Sequence, residues 1–284
     1  MEKMKYGDDY KKLPVTSVNS GKGFEVLPDL YQYTVQIVNM VFYGKPESGD
    51  GDYVIIDAGM PKSSEDIIKE AEKRFGTESK PKAIILTHGH FDHVGAVIEL
   101  VEHWNVPVYA HADELPYLTG KEDYPKPDAS VDGGMVSKMS PAFPRRAIDL
   151  GTNVQALPED GSVPHIPGFE WIHTPGHSAG HVSLFREEDG ALISGDAFVT
   201  VKQDSLYNVL SQKESIYGPP RYLTTDWDLA YQSVKKLYDL SPKYAITGHG
   251  PPLTGKALGD QLGELVDNFD EIAKPKKGKF VDDE

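Results

Sequence analysis

The sequence has no cysteine among its 284 residues. This absence excludes a disulfide framework and excludes thiolate ligands for a metal ion. It does not identify a compartment, because secreted proteins can also lack cysteine.

The sequence also lacks a long hydrophobic run. No stretch approaches the ~20 apolar residues that a membrane helix needs, so no membrane partner is expected. The amino-terminal stretch MEKMKYGDDYKKLPV has no apolar signal-peptide core. We therefore expect a cytoplasmic protein.

Positive charge is scarce, with 29 Lys and Arg against 44 Asp and Glu, a formal net charge of −15. Binding to a phosphate backbone requires clustered Lys and Arg, so nucleic acid is not an expected partner. The expected partner is a small-molecule substrate, and a homodimer is left open.

Hydrophobic residues make up 39% of the chain, enough for a buried core, and we predict a single domain over residues 1–284. Alternating apolar runs and helical patterns in the first half indicate an α/β arrangement. Strands are predicted over 31–44, 53–59, 83–87 and 106–110, with helices over 63–76 and 94–105. Ile67, Ala71 and Phe75 are predicted to lie on one face of the first helix. Further on we predict strands over 169–174, 181–187, 191–196 and 244–247, and helices over about 256–273 and over 226–240, the latter with Asp226 as its cap.

Residues 111–165 lack a clear period and are predicted to be an irregular insertion near the substrate. One hypothesis makes its apolar side chains a mobile wall over the active site. The alternative, equally weighted, is that they pack this segment onto the fold. The side chains concerned are Tyr117, Tyr124, Met135, Met139 and Phe143.

The stretch LTHGHFDHVG places His88, His90, Asp92 and His93 directly after a predicted buried strand. Other candidate metal ligands occupy similar places. Asp196 ends a predicted strand, His249 follows another, and the loop TPGHSAGH carries His177. The carboxyl ends of strands are the usual location of sites in α/β proteins. Imidazole and carboxylate ligands without sulfur suit Zn²⁺, Fe or Mn²⁺.

These motifs together resemble those of the metallo-β-lactamase superfamily: H-x-H-x-D-H, a later His, an Asp after Gly, and a final G-H-G. Asp57 in IIDAG matches the first motif of that family. The resemblance spans about residues 30–255 and implies an α+β fold, a four-layer αβ/βα sandwich.

The resemblance also implies a site for two divalent metal ions, with Zn²⁺ favoured and Fe or Mn as alternatives. His88, His90 and His177 would hold one ion, and Asp92, His93 and His249 the other. Asp196 would bridge both ions, and Asp57 would orient the histidine loop without binding metal.

Two such cations make a bridging hydroxide available near neutral pH for attack on a carbonyl or phosphoryl centre. Asp92 is the candidate catalytic residue because it can also accept a hydrogen bond from that nucleophile and orient it. His181 is predicted to support the His177 loop through a hydrogen bond. The remaining histidines match no motif and are predicted to be structural or exposed: His103, His111, His165 and His173.

The substrate is less well determined by sequence. Class B1 β-lactamases use a Cys ligand, and class B3 enzymes usually lack the bridging aspartate that Asp196 would supply. Only 35 residues follow His249, fewer than the helical region of glyoxalase II enzymes needs, and Val199 stands where acyl-homoserine lactonases carry Tyr.

We therefore expect a metal-dependent hydrolase of a small ester, lactone or thioester. The alternatives are a mononuclear iron oxygenase similar to persulfide dioxygenases, a phosphodiesterase, or a non-enzymatic scaffold that keeps the site only for folding.

Overall fold

The computed structural model describes residues 3–11, 13, 15–49, 51–132, 134–203 and 205–281. Backbone contacts divide the chain into two compact units. The first unit comprises Met1–Tyr124 with Pro144–Pro167, and the second comprises Pro125–Phe143 with Gly168–Glu284. The prediction of a single domain is not tested by this division.

The first unit contains a seven-stranded sheet whose strands follow one another in chain order. The strands are β1 (Gly23–Leu27), β2 (Leu30–Val35), β3 (Val38–Tyr43), β4 (Val54–Ile56), β5 (Ile84–Ile85), β6 (Val108–Ala110) and β7 (Val154–Ala156). Strands β1 to β4 pair antiparallel, and β4 to β7 pair parallel. Strands β4 and β5 are short apolar runs that are fully buried, as expected for parallel strands covered on both faces.

The predicted strand over 31–44 is wrong in one respect, because the chain forms the hairpin β2–β3. The pairing Val35↔Val38 closes the hairpin, and Gln36 between them has a φ of 56°. A two-residue turn of this kind requires positive φ, which Gln rarely adopts, so no typical turn residue marks the hairpin in the sequence. The side chain of Gln36 donates to the carbonyl oxygens of Leu13 and Val15, which stabilises the turn.

Three helices belong to the first unit: α1 (Ser64–Phe75), α2 (Val97–Trp104) and α3 (Leu115–Leu118). The predicted inner face of α1 is confirmed, since Ile67, Ala71 and Phe75 are buried. The Phe75 ring stacks on Tyr53 with centroids 3.9 Å apart, which fixes α1 against the chain leading into β4.

The second unit contains a five-stranded sheet in the order β14-β13-β10-β9-β8 and a two-stranded sheet β11-β12. Its strands are β8 (Phe169–His173), β9 (Val182–Arg186), β10 (Ala191–Gly195), β11 (Val199–Val201), β12 (Glu214–Tyr217), β13 (Tyr244–Thr247) and β14 (Leu253–Thr254). Strands β10 and β13 are parallel, and the other pairs are antiparallel.

Five helices belong to the second unit: α4 (Met135–Met139), α5 (Leu206–Ser211), α6 (Trp227–Asp239), α7 (Gly255–Asp267) and α8 (Phe269–Ile272). The predicted cap of α6 is confirmed, because the Asp226 carboxylate accepts from the Leu229 amide at 2.8 Å. Helices α6 and α7 bury Val234, Leu237 and Leu262 in one apolar cluster with β10 and β13. In the described chain, no helix combines the length and the apolar character needed to cross a bilayer.

Two predicted segments differ in detail from the structure. Residues 111–165 are not uniformly irregular, since they contain α3, α4, β7 and three short 3₁₀ turns. The predicted carboxy-terminal helix over about 256–273 is divided into α7 and α8 at Asn268. Short helices and a three-residue edge strand carry too little periodicity to be recognised in sequence. The α+β class is confirmed.

Candidate metal centre

The first unit brings four candidate ligands together in the loop that follows β5. His88, His90, Asp92 and His93 are all buried, with at most 6% of each residue exposed. One ring nitrogen of His88 lies within 4.8 Å of a ring nitrogen of His90 and of a ring nitrogen of His93. A carboxylate oxygen of Asp92 also lies within 4.8 Å of a ring nitrogen of His93. The sequence prediction that this loop concentrates ligand atoms is therefore confirmed within the first unit.

Asp57 holds this loop from the neighbouring strand. It directly follows β4 and has a φ of 63°, an uncommon conformation for a non-glycine residue. Its carboxylate accepts hydrogen bonds from the Thr87 amide at 2.8 Å and the Thr87 hydroxyl at 2.9 Å. It also accepts from Nδ1 of His93 at 2.8 Å. The carboxylate thus fixes both ends of the histidine loop.

These contacts determine which ring nitrogen of each histidine can bind a metal. Because Nδ1–H of His93 donates to Asp57, its lone pair lies on Nε2. Nδ1 of His88 lies 3.1 Å from the Thr87 hydroxyl. Since that hydroxyl donates to Asp57, it accepts from His88 Nδ1–H, and the lone pair of His88 also lies on Nε2. Asp57 therefore sets the tautomer of two candidate ligands, one directly and one through Thr87.

A buried pair that sequence reasoning missed holds the middle of the loop. The Gly89 amide donates to Glu114 at 3.0 Å and to the Tyr124 hydroxyl at 3.0 Å. The Tyr124 hydroxyl itself donates to Glu114. A Cβ at Gly89 would lie 2.5 Å from the Tyr124 oxygen, so only glycine fits between His88 and His90. Tyr124 is thus a support of the histidine loop, which agrees with the alternative that these side chains pack the segment onto the fold.

Burial and Glu114 together raise the pKa of Tyr124 well above its ordinary value. Tyr124 also lies against the His90 ring, with centroids 4.5 Å apart, and stacks on Tyr117. Its phenol therefore stays a neutral hydrogen-bond donor throughout the range in which enzymes work.

The amino-terminal segment also approaches the loop. Tyr6 donates to Glu99 on α2 at 2.5 Å and stacks on Tyr10 with centroids 4.8 Å apart. Burial raises the pKa of Tyr10 well above its ordinary value, and the charges of Asp9 and Asp92 add to the effect. No sequence motif marked this tyrosine as a neighbour of Asp92.

The second unit brings together the other three candidate ligands, all of them 1% exposed. An Asp196 carboxylate oxygen lies 3.5 Å from Nε2 of His177 and 3.3 Å from Nε2 of His249. Two ligand atoms that bind one tetrahedral ion at about 2.1 Å are separated by about 3.4 Å. Both distances therefore fit donor atoms arranged around a metal ion.

Strand register explains why Asp196 and His249 are neighbours. Strands β10 and β13 run parallel with Gly195 opposite Thr247, so the residues that follow them emerge at the same edge. The Gly248 amide donates to the Gly195 carbonyl at 2.8 Å, which links the two loops. The His249 carbonyl accepts from the Thr247 hydroxyl at 2.7 Å.

His177 is positioned by a close approach to α6. Gly176 has a φ of 126°, and a Cβ there would lie 2.4 Å from the Ala230 amide nitrogen. Glycine alone allows this turn to lie against the helix. Nδ1 of His177 lies 3.2 Å from the Thr224 hydroxyl, which donates to the Pro220 carbonyl. The lone pair available for a metal is again on Nε2.

His181 supports the His177 loop, as predicted, and also holds a second segment. Its Nε2 accepts from the Asp196 amide at 2.9 Å, and its Nδ1 lies 2.8 Å from the Thr174 hydroxyl. It therefore holds the backbone of Asp196 as well as the start of the His177 loop. Because Nε2 is an acceptor, the ring is neutral and Nδ1 is the donor.

The other histidines have ordinary local contacts. His111 caps the turn Ala112–Glu114 by accepting from the Asp113 amide at 3.2 Å. His173 lies 2.8 Å from the Ala179 carbonyl, and His103 is exposed on α2. Each unit thus gathers its own predicted ligands, while the arrangement of both sets around the same ions remains a prediction.

The sequence profile of the metallo-beta-lactamase superfamily matches residues 33–249 of this chain. The matched range is more than half of the chain and includes every candidate ligand. The protein belongs to the metallo-β-lactamase superfamily and has its fold.

Particular relatives agree with this assignment. A Bacillus subtilis (strain 168) protein named "Probable metallo-hydrolase YflN" is 51% identical over 260 residues, which covers 92% of this chain and 98% of the relative. The protein named "Probable metallo-hydrolase YybB" from the same strain is 31% identical, covering 71% of this chain and 77% of the relative. A solved β-lactamase domain protein from Burkholderia ambifaria is 22% identical with a TM-score of 0.57, covering 95% and 81% of the two chains. That structure supports the fold alone.

The role of Thr87 can be tested through metal affinity. Thr87→Val removes the hydroxyl between Asp57 and His88 while keeping the side-chain volume, so zinc affinity should fall about tenfold to a hundredfold. Competition against a chromogenic chelator measures this without any substrate. Thr87→Ser keeps the hydroxyl and should bind zinc as the parent protein does. Equal zinc affinity of the parent and the folded Thr87→Val protein would show that the hydrogen bonds from Asp57 through Thr87 to His88 do not affect metal binding.

The buried phenol of Tyr124 predicts a loss of stability at alkaline pH. An unfolded tyrosine ionises near pH 10, whereas the native Tyr124 keeps its proton, so the native state binds more protons above that pH. The stabilisation is complete below pH 10 and decreases as pH rises, by at most about 1.4 kcal/mol per pH unit. In Tyr124→Phe, the decrease in the free energy of unfolding between pH 9 and 11 should be smaller. Tyr207→Phe at an exposed position is the control, and the prediction fails if both variants decline alike.

Proposed function

We propose that the protein is a dinuclear metallohydrolase that acts on a small ester, lactone or thioester. Its cofactors are two divalent metal ions, with Zn²⁺ favoured over Fe or Mn. The observation that carries the proposal is the carboxylate oxygen of Asp196, which lies at metal-ligand spacing from both His177 and His249.

The number of ligands favours two ions over one. A single catalytic zinc ion uses three protein ligands and one water, while this chain carries seven buried candidate ligands. In the proposed assignment, His88, His90 and His177 hold one ion, Asp92, His93 and His249 hold the other, and Asp196 serves both. The imidazole tautomers support this assignment, because Nε2 carries the lone pair in His88, His93 and His177.

Two bound cations supply an activated water near neutral pH and polarise the substrate carbonyl. The chain's own contribution is positioning. With the ions bound, Asp92 would accept a hydrogen bond from that water and orient it, while Asp57 keeps the histidine loop in place. No serine or cysteine nucleophile is required.

Hydrolysis is supported by the superfamily assignment and by the names of the two Bacillus relatives. The net charge of −15 disfavours a polyanionic substrate such as RNA. The absence of cysteine removes the ligand used by class B1 β-lactamases. Together these features favour a small carbonyl substrate.

Hydrolysis of a defined substrate panel tests this proposal. The zinc-loaded protein should turn over one class among lactones, thioesters, simple esters, phosphodiesters and β-lactams, and a chelator should abolish that turnover. Asp92→Asn should lower kcat/KM at least a hundredfold, because the residue orients the nucleophile. His103→Asn changes an exposed histidine of α2 and should leave kcat/KM unchanged. Full activity of Asp92→Asn, or turnover that survives complete metal removal, would contradict the proposal.

A further inference from the structure

The second unit contains a cavity of about 550 Å³ that no sequence motif predicted. This volume is within the range of small-molecule sites. Its lining combines charged and apolar side chains from α4, the start of α5, and the segments following β11 and β12. The lining residues include Asp132, Met135, Lys202, Ser205, Leu206 and Arg221.

The cavity adjoins the elements that position the second unit's candidate ligands. On one side, Lys202 follows β11, whose Thr200 amide donates to the His249 carbonyl at 3.1 Å. On the other side, Arg221 belongs to the turn whose Thr224 hydroxyl lies 3.2 Å from Nδ1 of His177. A molecule in the cavity would therefore lie beside the chain segments that hold His177 and His249.

Among the described lining residues, the formal charges of Asp132, Lys202 and Arg221 sum to one positive charge. The Asp132 carboxylate lies 3.8 Å from Arg221 and also accepts from the Lys276 amide, so these two charges offset each other. Arg221 further donates to the carbonyls of Ala273 and Ile272, which fixes its guanidinium. Within the described residues Lys202 forms no ion pair, and its ammonium lies 5.5 Å from the centre of the Tyr217 ring. Lys202 thus makes one end of the cavity cationic in a protein of net charge −15.

Besides Ser205 and Gly134, the remaining lining residues are apolar. Val136 of α4 is buried with Val131 and Tyr222, and Leu206 of α5 packs against the same cluster. Four of the eight large hydrophobic side chains that are exposed in the described chain lie on α4 and α5: Met135, Met139, Tyr207 and Leu210. Such a concentration of exposed apolar side chains is typical of a ligand-binding surface.

We propose that this cavity binds a carboxylate attached to a short aliphatic chain, with Lys202 pairing the carboxylate and Met135 and Leu206 contacting the chain. The ligand would be the part of the substrate that carries a carboxylate on an apolar chain. This identification rests on the proposed function. The binding site itself is independent of turnover and is tested by binding alone.

Calorimetric titration of the full-length, zinc-loaded protein with octanoate is the test. Octanoate should bind with a stoichiometry of one per chain. Acetate lacks the aliphatic chain and octanamide lacks the negative charge, so each should bind at least about tenfold more weakly. Lys202→Met should weaken octanoate binding about tenfold, as expected when one partly exposed ion pair is lost. Met135→Ser, at a position that is 59% exposed, should weaken it about threefold without affecting folding.

Lys69→Met removes an exposed lysine of α1 and is the matched control, with unchanged octanoate affinity. Metal content is measured for every variant. Octanoate affinity that is equal in the parent and Lys202→Met proteins would overturn the proposal, because the carboxylate would then bind elsewhere, including at the metal ions. Binding that depends on Lys202 in a protein with no turnover would uphold the cavity and overturn the proposed function. Turnover without octanoate binding would uphold the proposed function and overturn the cavity proposal.

Discussion

The buried carboxylate of Asp57 is the contact on which the candidate centre depends. It receives hydrogen bonds from Thr87 and His93, and so it fixes the first and last parts of the histidine loop. A buried carboxylate is costly unless it is hydrogen-bonded, so its acceptance of these donors stabilises one arrangement of the loop. The left-handed backbone at Asp57 is a strained conformation that is retained where it serves a site.

A second buried carboxylate acts in the same way on the middle of the loop. Glu114 accepts from the Gly89 amide and from Tyr124, whose phenol donates without ionising. The backbone between His88 and His90 is therefore held by residues that follow the loop in the chain, whereas Asp57 precedes it. In the second unit neutral histidine takes this role, since His181 accepts from the Asp196 amide. The supports differ in chemistry, but each fixes a ligand through a hydrogen bond to backbone or ring nitrogen.

Sequence reasoning could select the candidate ligands because they follow short buried strands in a dense, recognisable motif, and their binding of metal stays a prediction. It also predicted the role of Asp57 as a support and the cap of α6 at Asp226. It could not predict Glu114, because a single acidic residue in an irregular segment is ordinarily solvated. Its burial depends on contacts with Gly89 and Tyr124 that are 25 and 10 residues away in sequence. The β2–β3 hairpin was missed for a local reason, since Gln36 is not a typical turn residue.

The central claim is that the chain binds two metal ions, and metal content measures this most directly. Protein purified without added metal should contain close to two zinc or manganese ions per chain by elemental analysis. Asp196→Asn, which alters the proposed shared ligand, should lower this number while the protein remains folded. One iron per chain in the parent protein, with no change in Asp196→Asn, would contradict the account and favour a mononuclear iron enzyme.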